Sequence, residues 1–177
     1  MHNFTTQRLL IRPLAEQDKD LYFSLYTNAK VMRNIGEPLT QVEAEKAFTS
    51  TLKAMQKTQP KVMSWAIVAL YNNECIGIQG LNWQTPDIAD IGIMLSRTSN
   101  GKQLPEEAMG ALMEYAFNYL SVAKINAFYA RKNLATSRFV KKLGFIYDDA
   151  KQPANINDSY QYFIKDKWLQ TLIYQVL

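Results

Sequence analysis

Apolar positions recur along this chain with two periods, and each change of period marks an element boundary. Arg8 to Pro13 reads as a short strand closed by its proline. From Asp18 to Asn28, the spacing of Leu21, Tyr22, Leu25 and Tyr26 predicts an amphipathic helix. Asn34 to Pro38 is rich in turn formers. Thr40 then stands as an N-cap, with Glu43 completing a capping-box pattern. The helix it starts, running to about Lys57, places Val42, Ala47, Phe48, Leu52 and Met55 on one side.

The pattern then becomes strand-like. Ser64 to Tyr71 and Glu74 to Asn82 predict two strands around an Asn72–Asn73 turn. After Thr85-Pro86-Asp87, Ala89 to Leu95 is a third, so residues 64–95 form an expected antiparallel meander. A polar stretch, Ser96 to Gln103, leads into a helix from Pro105 to Leu120 striped with Ala108, Leu112, Tyr115, Ala116 and Tyr119. Lys124 to Ala130 predicts a strand, and Ala135 to Leu143 a helix stopped by Gly144. Phe145 to Tyr147 and Tyr160 to Ile164 supply two last strands, and Trp168 to Leu177 a short terminal helix. The order β-α-α-βββ-α-β-α-β-β predicts a mixed α/β (α+β) domain. The helix between the strands near residues 95 and 124 implies one parallel pair.

At 177 residues, 47% of them hydrophobic and 20% charged, the chain fits one domain spanning 1–177. No segment approaches the roughly 18 apolar residues of a membrane span, and the first residues lack the features of a signal peptide. Cys75 is the single cysteine, so no internal disulfide is expected and a cytoplasmic setting is the simplest. The net charge of +4 comes from scattered lysines and arginines. Without a basic stripe interleaved with aromatics, a nucleic-acid partner is not expected. His2 is the only histidine, which removes Ser-His-Asp and Cys-His catalysis and a His/Cys zinc site. No metal is expected, and chemistry is left to backbone groups, carboxylates, hydroxyls or a bound cosubstrate.

A strand feeding a polar loop and then a helix N-terminus, as Ile93 to Ala108 does, aims free N–H groups at one place and suits a phosphate. Alone this is weak. Asn133-Leu-Ala-Thr136-Ser-Arg-Phe-Val-Lys-Lys-Leu-Gly144-Phe145 resembles the C-terminal signature of GNAT N-acyltransferases. Thr6-Gln-Arg8-Leu-Leu-Ile-Arg12-Pro-Leu14 resembles the opening strand of the branch holding RimJ/RimL-type ribosomal-protein acetyltransferases and small-molecule amine acetyltransferases. Ala89-Asp90-Ile-Gly-Ile93 and Gly101-Lys102 followed by Glu107-Ala108 match its middle motifs, in family order and spacing.

The resemblance implies the GNAT fold: a central, mixed, mostly antiparallel twisted sheet flanked by helices. It implies acetyl-CoA as acyl donor and an amine acceptor, either a small molecule or a protein N-terminus; homodimers are common in the family. Met94, Leu95 and Ser96 would hold the pantetheine arm. Asn100, Gly101, Lys102, Gln103 and Leu104 would hold the pyrophosphate, and Asn133 and Thr136 the thioester end. Asp90 and Glu37 are the candidate bases, acting through water, and Thr136, preferred over Tyr129, is the candidate proton donor to the leaving thiolate. Lys102, Lys141 and Lys142 are candidates for a 3′-phosphate contact. Tyr22, Tyr26, Met32, Ile35 and Trp83 either border the acceptor or pack in the core.

The loop departs from the family pattern at Asn100, Gln103 and Pro105. Where the family has glycine, Gln103 adds a side chain, and Pro105 removes an N–H donor. A lost hydrogen bond to a charged group costs about 1.5–3 kcal/mol, one or two decades in affinity. The alternative reading is therefore a non-catalytic CoA-binding or protein-interaction domain with a degenerate loop.

Overall fold

Both periods resolve into one sheet flanked by helices in the computed structural model, which describes residues 1–96, 99, 103–155 and 157–170. The strands are β1 (Phe4–Thr5), β2 (Leu9–Pro13), β3 (Val62–Ala69), β4 (Glu74–Thr85), β5 (Ile88–Leu95), β6 (Lys124–Ala130), β7 (Ile146–Tyr147) and β8 (Asp158–Ile164). The helices are α1 (Lys19–Tyr26), α2 (Ala29–Met32), α3 (Gln41–Met55), α4 (Leu104–Tyr119) and α5 (Leu134–Lys142). The sheet order is β1-β2-β3-β4-β5-β6-β8-β7, and every pair is antiparallel except β5–β6. This is the mixed, mostly antiparallel sheet the sequence predicts.

Alternation along the strands makes two apolar layers. On one face Leu9, Ile11, Trp65, Ile67, Ala89 and Ile91 join Ala108, Leu112 and Ala116 of α4 and Val140 of α5. On the other, Leu14, Ala66 and Ile78 meet Tyr22 and Leu25 of α1 and Phe48 of α3. The Thr40–Glu43 capping box forms as expected, the Thr40 N–H donating to Glu43 at 2.8 Å and the Glu43 N–H to the Thr40 hydroxyl at 3.3 Å. Gly144 ends α5 at φ 88°, the left-handed region that glycine enters without penalty.

Several expectations need correction. Val42 and Tyr119 are 63% and 70% exposed, so the buried faces of α3 and α4 turn slightly away from them; Ala44 is buried in α3 instead. The hairpin closes on Leu70 to Asn73, not on two residues, because β3 ends at Ala69 and exposes Leu70 and Tyr71. α4 begins at Leu104, so Pro105 is its second residue, where a missing N–H is still harmless. β1 and α2, too short to carry a period, were not predicted. Residues Lys165–Gln170 are a 3-10 helix, and the rest of the expected terminal helix lies outside the described residues.

Gly77 has no room for a side chain: a Cβ there would stand 2.4 Å from the Met94 carbonyl oxygen and 2.4 Å from Leu95 Cδ2. Gly77→Ala must push β5 outward. A stability loss of about 1–3 kcal/mol is expected in denaturant titration, in the range of overpacked cores.

Candidate active site

β5 and β6 run side by side for only three residue pairs, Ile88–Lys124, Ala89–Ile125 and Asp90–Asn126. Beyond that, β5 stays with β4 to Leu95 and β6 stays with β8 to Ala130. A V-shaped cleft of about 650 Å³ opens between them. Its walls include Ile91 to Met94, Ala127 to Ala130, and Thr136, Phe139 and Val140 beneath. Gly92 faces open space, for a Cβ built there meets nothing within 4 Å.

The edge that β5 presents to the cleft follows from its ladder with β4. The Ser96 N–H donates to the Ile76 carbonyl at 2.8 Å, so by antiparallel alternation Ser96, Met94 and Gly92 turn their backbone groups towards β4. Ile93 and Leu95 direct theirs to the opposite edge, where β6 has parted from β5. Of the three expected pantetheine-binding residues, Met94 lines the cleft, Leu95 offers backbone groups on that edge without being among the lining residues, and Ser96 does neither. Sequence reasoning missed Ile93; the signal was the two-residue alternation itself, readable once the register is known.

Asp90 sits at the apex with both oxygens occupied by neutral donors. Gln84 Nε2 donates at 2.7 Å and Asn126 Nδ2 at 2.9 Å, and the Asn126 oxygen accepts from the Tyr160 hydroxyl at 3.0 Å. Asn133 and Thr136 both line the cleft. The Asn133 side chain accepts the Thr136 N–H at 3.2 Å, capping α5 and fixing Thr136 at its first turn. Tyr26 and Ile35 border the cleft from the α1–α2 side, while Tyr22 and Met32 are core. Trp83 packs against the larger core. Burial raises the pKa of the Tyr26 phenol, with Tyr22 adding to the shift, so Tyr26 stays protonated. Glu37 is exposed and is not among the residues lining the cleft, although Asn34 and Ile35 of the same turn are. Gln79 lines the cleft at 1% exposure, and among the described residues neither end of its amide has a partner.

Asn100, Gly101 and Lys102 lie outside the described residues. Gln103 precedes α4 at φ 60°, ψ 16° and Leu104 begins the helix, buried. The position where the family has glycine therefore holds the left-handed conformation glycine favours, in a residue that is strained there by roughly 1–2 kcal/mol. The acids of the first turn are neutralised. Glu107 accepts from the Thr6 hydroxyl, from the Arg8 N–H at 3.0 Å and from Arg8 Nε at 2.6 Å. Glu106 lies 3.7 Å from Lys142 of α5. Lys142 thus stands beside the N-terminus of α4.

Cys75 is not among the cleft-lining residues; it lies beside Asp18, itself held by a two-pronged Arg12 pair at 2.7 Å. Burial pushes its thiol up to about 11, with Asp18 adding to the shift and Arg12 opposing it. Because only the thiolate alkylates, iodoacetamide labelling of Cys75 should be slow at pH 8 and accelerate through pH 10–11, measured by mass spectrometry. Gln103→Gly should remove the left-handed strain at the helix start. An unchanged or higher Tm and tighter acetyl-CoA binding in calorimetry are the expected outcomes.

Residues 8–146 match the family model described as an acetyltransferase (GNAT) domain. A Bacillus subtilis protein named as the uncharacterized N-acetyltransferase YoaA is 28% identical over 145 residues, 79% of this chain and 80% of that protein. An Agrobacterium tumefaciens acetyltransferase superimposes with a TM-score of 0.79 at 21% identity, covering 92% of this chain and 94% of that one. The spermidine N-acetyltransferase of Vibrio cholerae, solved with CoA and spermine, gives 0.78 at 17% identity, covering 93% and 99%. These likenesses in structure speak for the fold, and the family model spans most of the chain: it belongs to the GNAT acetyltransferase family.

Proposed function

We propose that this chain is an acetyl-CoA-dependent N-acetyltransferase that transfers an acetyl group directly to a primary amine, of a small molecule or a protein N-terminus, in a ternary complex. The observation that carries this reading is the split between β5 and β6. It leaves an amide-bearing edge at Ile93 and Leu95 beside a carboxylate at the apex and a hydroxyl at Thr136. Acetyl-CoA fits that cleft by chemistry: its pantetheine amides can add to the edge as a strand would.

The donor supplies a thioester carbonyl, and the residues of this chain do the rest. A backbone N–H at Ile93 or Leu95 polarises the carbonyl oxygen as it gains charge. Asp90 takes the proton the amine must lose, directly or through water; the amides of Gln84 and Asn126 hold it in place and leave further lone pairs free. Thr136 passes a proton to the departing sulfur and recovers one through water, and Asp90 releases the amine's proton to solvent.

Calorimetric titration with acetyl-CoA, followed by an amine screen, tests the reading. Saturable binding with turnover is expected, whereas binding without turnover on any amine would turn the assignment to a non-catalytic CoA-binding domain. Asp90→Asn is expected to lower kcat by about a hundredfold, the low end of general-base contributions, and to leave the acetyl-CoA Kd unchanged.

A further inference from the structure

A second, smaller pocket of about 230 Å³ is walled by Tyr129, Arg131, Ser137, Tyr147, Ser159 and Gln161. Among the described residues, Tyr129 alone is shared with the cleft. Tyr129 pairs across the sheet with Ser159, and Tyr147 with Gln161, so β6, β7 and β8 present these side chains to one face. Ser137 comes from α5, which covers that face. It stands about 140° round the helix axis from Lys142, the residue that reaches Glu106 of α4. The pocket therefore lies on the flank of α5 turned away from α4 and its N-terminus.

Its walls are rich in hydrogen-bond donors and, among the described residues, hold no carboxylate. Ser159 is 5% exposed, yet no described residue hydrogen-bonds its hydroxyl. The hydroxyls of Ser137 and Tyr147 are likewise unengaged. Gln161 Nε2 donates to the Tyr129 hydroxyl at 2.5 Å, which leaves the phenol's own hydrogen for another acceptor. Arg131 Nε donates to the Asp158 carbonyl at 2.9 Å, which anchors the guanidinium. Among the described residues nothing pairs with its two terminal nitrogens. The acids adjacent in sequence are committed elsewhere: Asp158 alternates to the opposite face and lines the cleft, and Asp148 accepts the Ala150 N–H at 3.1 Å. Lys141, exposed and one turn on from Ser137, adds a second positive charge to the same flank of α5.

A buried hydroxyl without a partner is costly, and a ligand oxygen can meet it. The guanidinium fork matches a carboxylate or a phosphate. The hydroxyls decide between them. They approach from α5, β7 and β8, and so from different directions, whereas a carboxylate has two oxygens in one plane. A phosphate group has three acceptor oxygens arranged tetrahedrally. We propose that this pocket binds a phosphate group, free or on a small monoester, at a site separate from the acyl donor's. The site stands whether or not the cleft transfers acetyl groups.

Inorganic phosphate, glycerol 3-phosphate and acetate are the probes, titrated calorimetrically into the full chain with CoA present. One saturable site is expected for the two phosphates and none for acetate. Ser159→Ala and Arg131→Gln should each weaken it by about tenfold, the loss of one hydrogen bond to a charged group. Tyr147→Phe removes a hydroxyl from a side chain that is 44% exposed, so it tests the same wall without disturbing the core. Tighter binding of glycerol 3-phosphate supports a phosphorylated small molecule as the source, and tighter binding of inorganic phosphate supports the free ion. No saturable phosphate binding, equal binding of acetate, or binding that survives all three substitutions would overturn the proposal. So would phosphate binding that CoA abolishes and dephospho-CoA does not, because the pocket would then hold the donor's own 3′-phosphate.

Discussion

Ile93 and Leu95 carry backbone donors and acceptors that no strand satisfies among the described residues, because β6 parts from β5 after Asn126. An unmet backbone group costs about 1–3 kcal/mol if buried dry, so this edge must face water or a ligand bearing amides. The split cannot heal by sliding the strands together. β5 is committed along its other edge to β4 as far as Leu95, and β6 to β8 as far as Ala130. Phe139 and Val140 of α5 and Met109 of α4 line the gap. Edge strands usually invite another chain; here the edge is recessed in a cleft and admits only something narrow and extended.

The motifs that identify the family are distant in sequence but joined in space. Thr6 and Arg8 of the N-terminal motif clamp Glu107 in the first turn of α4, and Lys142 of the α5 motif stands by Glu106. Acids at a helix N-terminus stabilise its dipole, yet two bare carboxylates there would repel a pyrophosphate. Pairing them with Arg8 and Lys142 keeps the first benefit and reduces the second effect. The opening strand of the chain is thus an electrostatic part of the site, although it lines none of the cleft.

Much of this was legible in residue patterns. The meander, the capping box at Thr40, the parallel pair and the strand Lys124–Ala130 followed from period and turn chemistry, because each is a local property. What was not legible depended on register or twist. Whether Met94 or Leu95 shows its backbone to the cleft is a matter of which ladder position is hydrogen-bonded, and one residue of slip reverses it. Val42 and Tyr119 fit the apolar stripes of their helices, but tertiary packing set the buried arc elsewhere. Asp90 could be named as a candidate from its motif, whereas its bonds to Gln84 and Asn126 join residues on three strands. Glu37 fitted the acceptor border by position in the chain, and the turn that carries it sends Asn34 and Ile35 to the cleft instead.

The placement of the remaining reactive groups bears on how transfer proceeds. A covalent relay would need a nucleophile within reach of both donor and acceptor. Cys75 lies with Arg12 and Asp18 away from the cleft, and its raised pKa leaves little thiolate near neutral pH. His2 is tied to Tyr115 of α4, its backbone N–H donating to the hydroxyl at 3.1 Å and its ring 3.3 Å from the same oxygen. Among the described residues, the polar groups that line the cleft are the carboxylates of Asp90 and Asp158, the hydroxyls of Ser64, Thr136, Tyr26 and Tyr129, side-chain amides, and backbone N–H groups. None of these is an activated nucleophile, but together they suit a reaction in which the acceptor itself attacks. On the proposed direct transfer, catalysis would rest on holding donor and acceptor on opposite sides of one gap, where orientation lowers the barrier. The strand split that creates the gap is accordingly the feature on which any such chemistry depends.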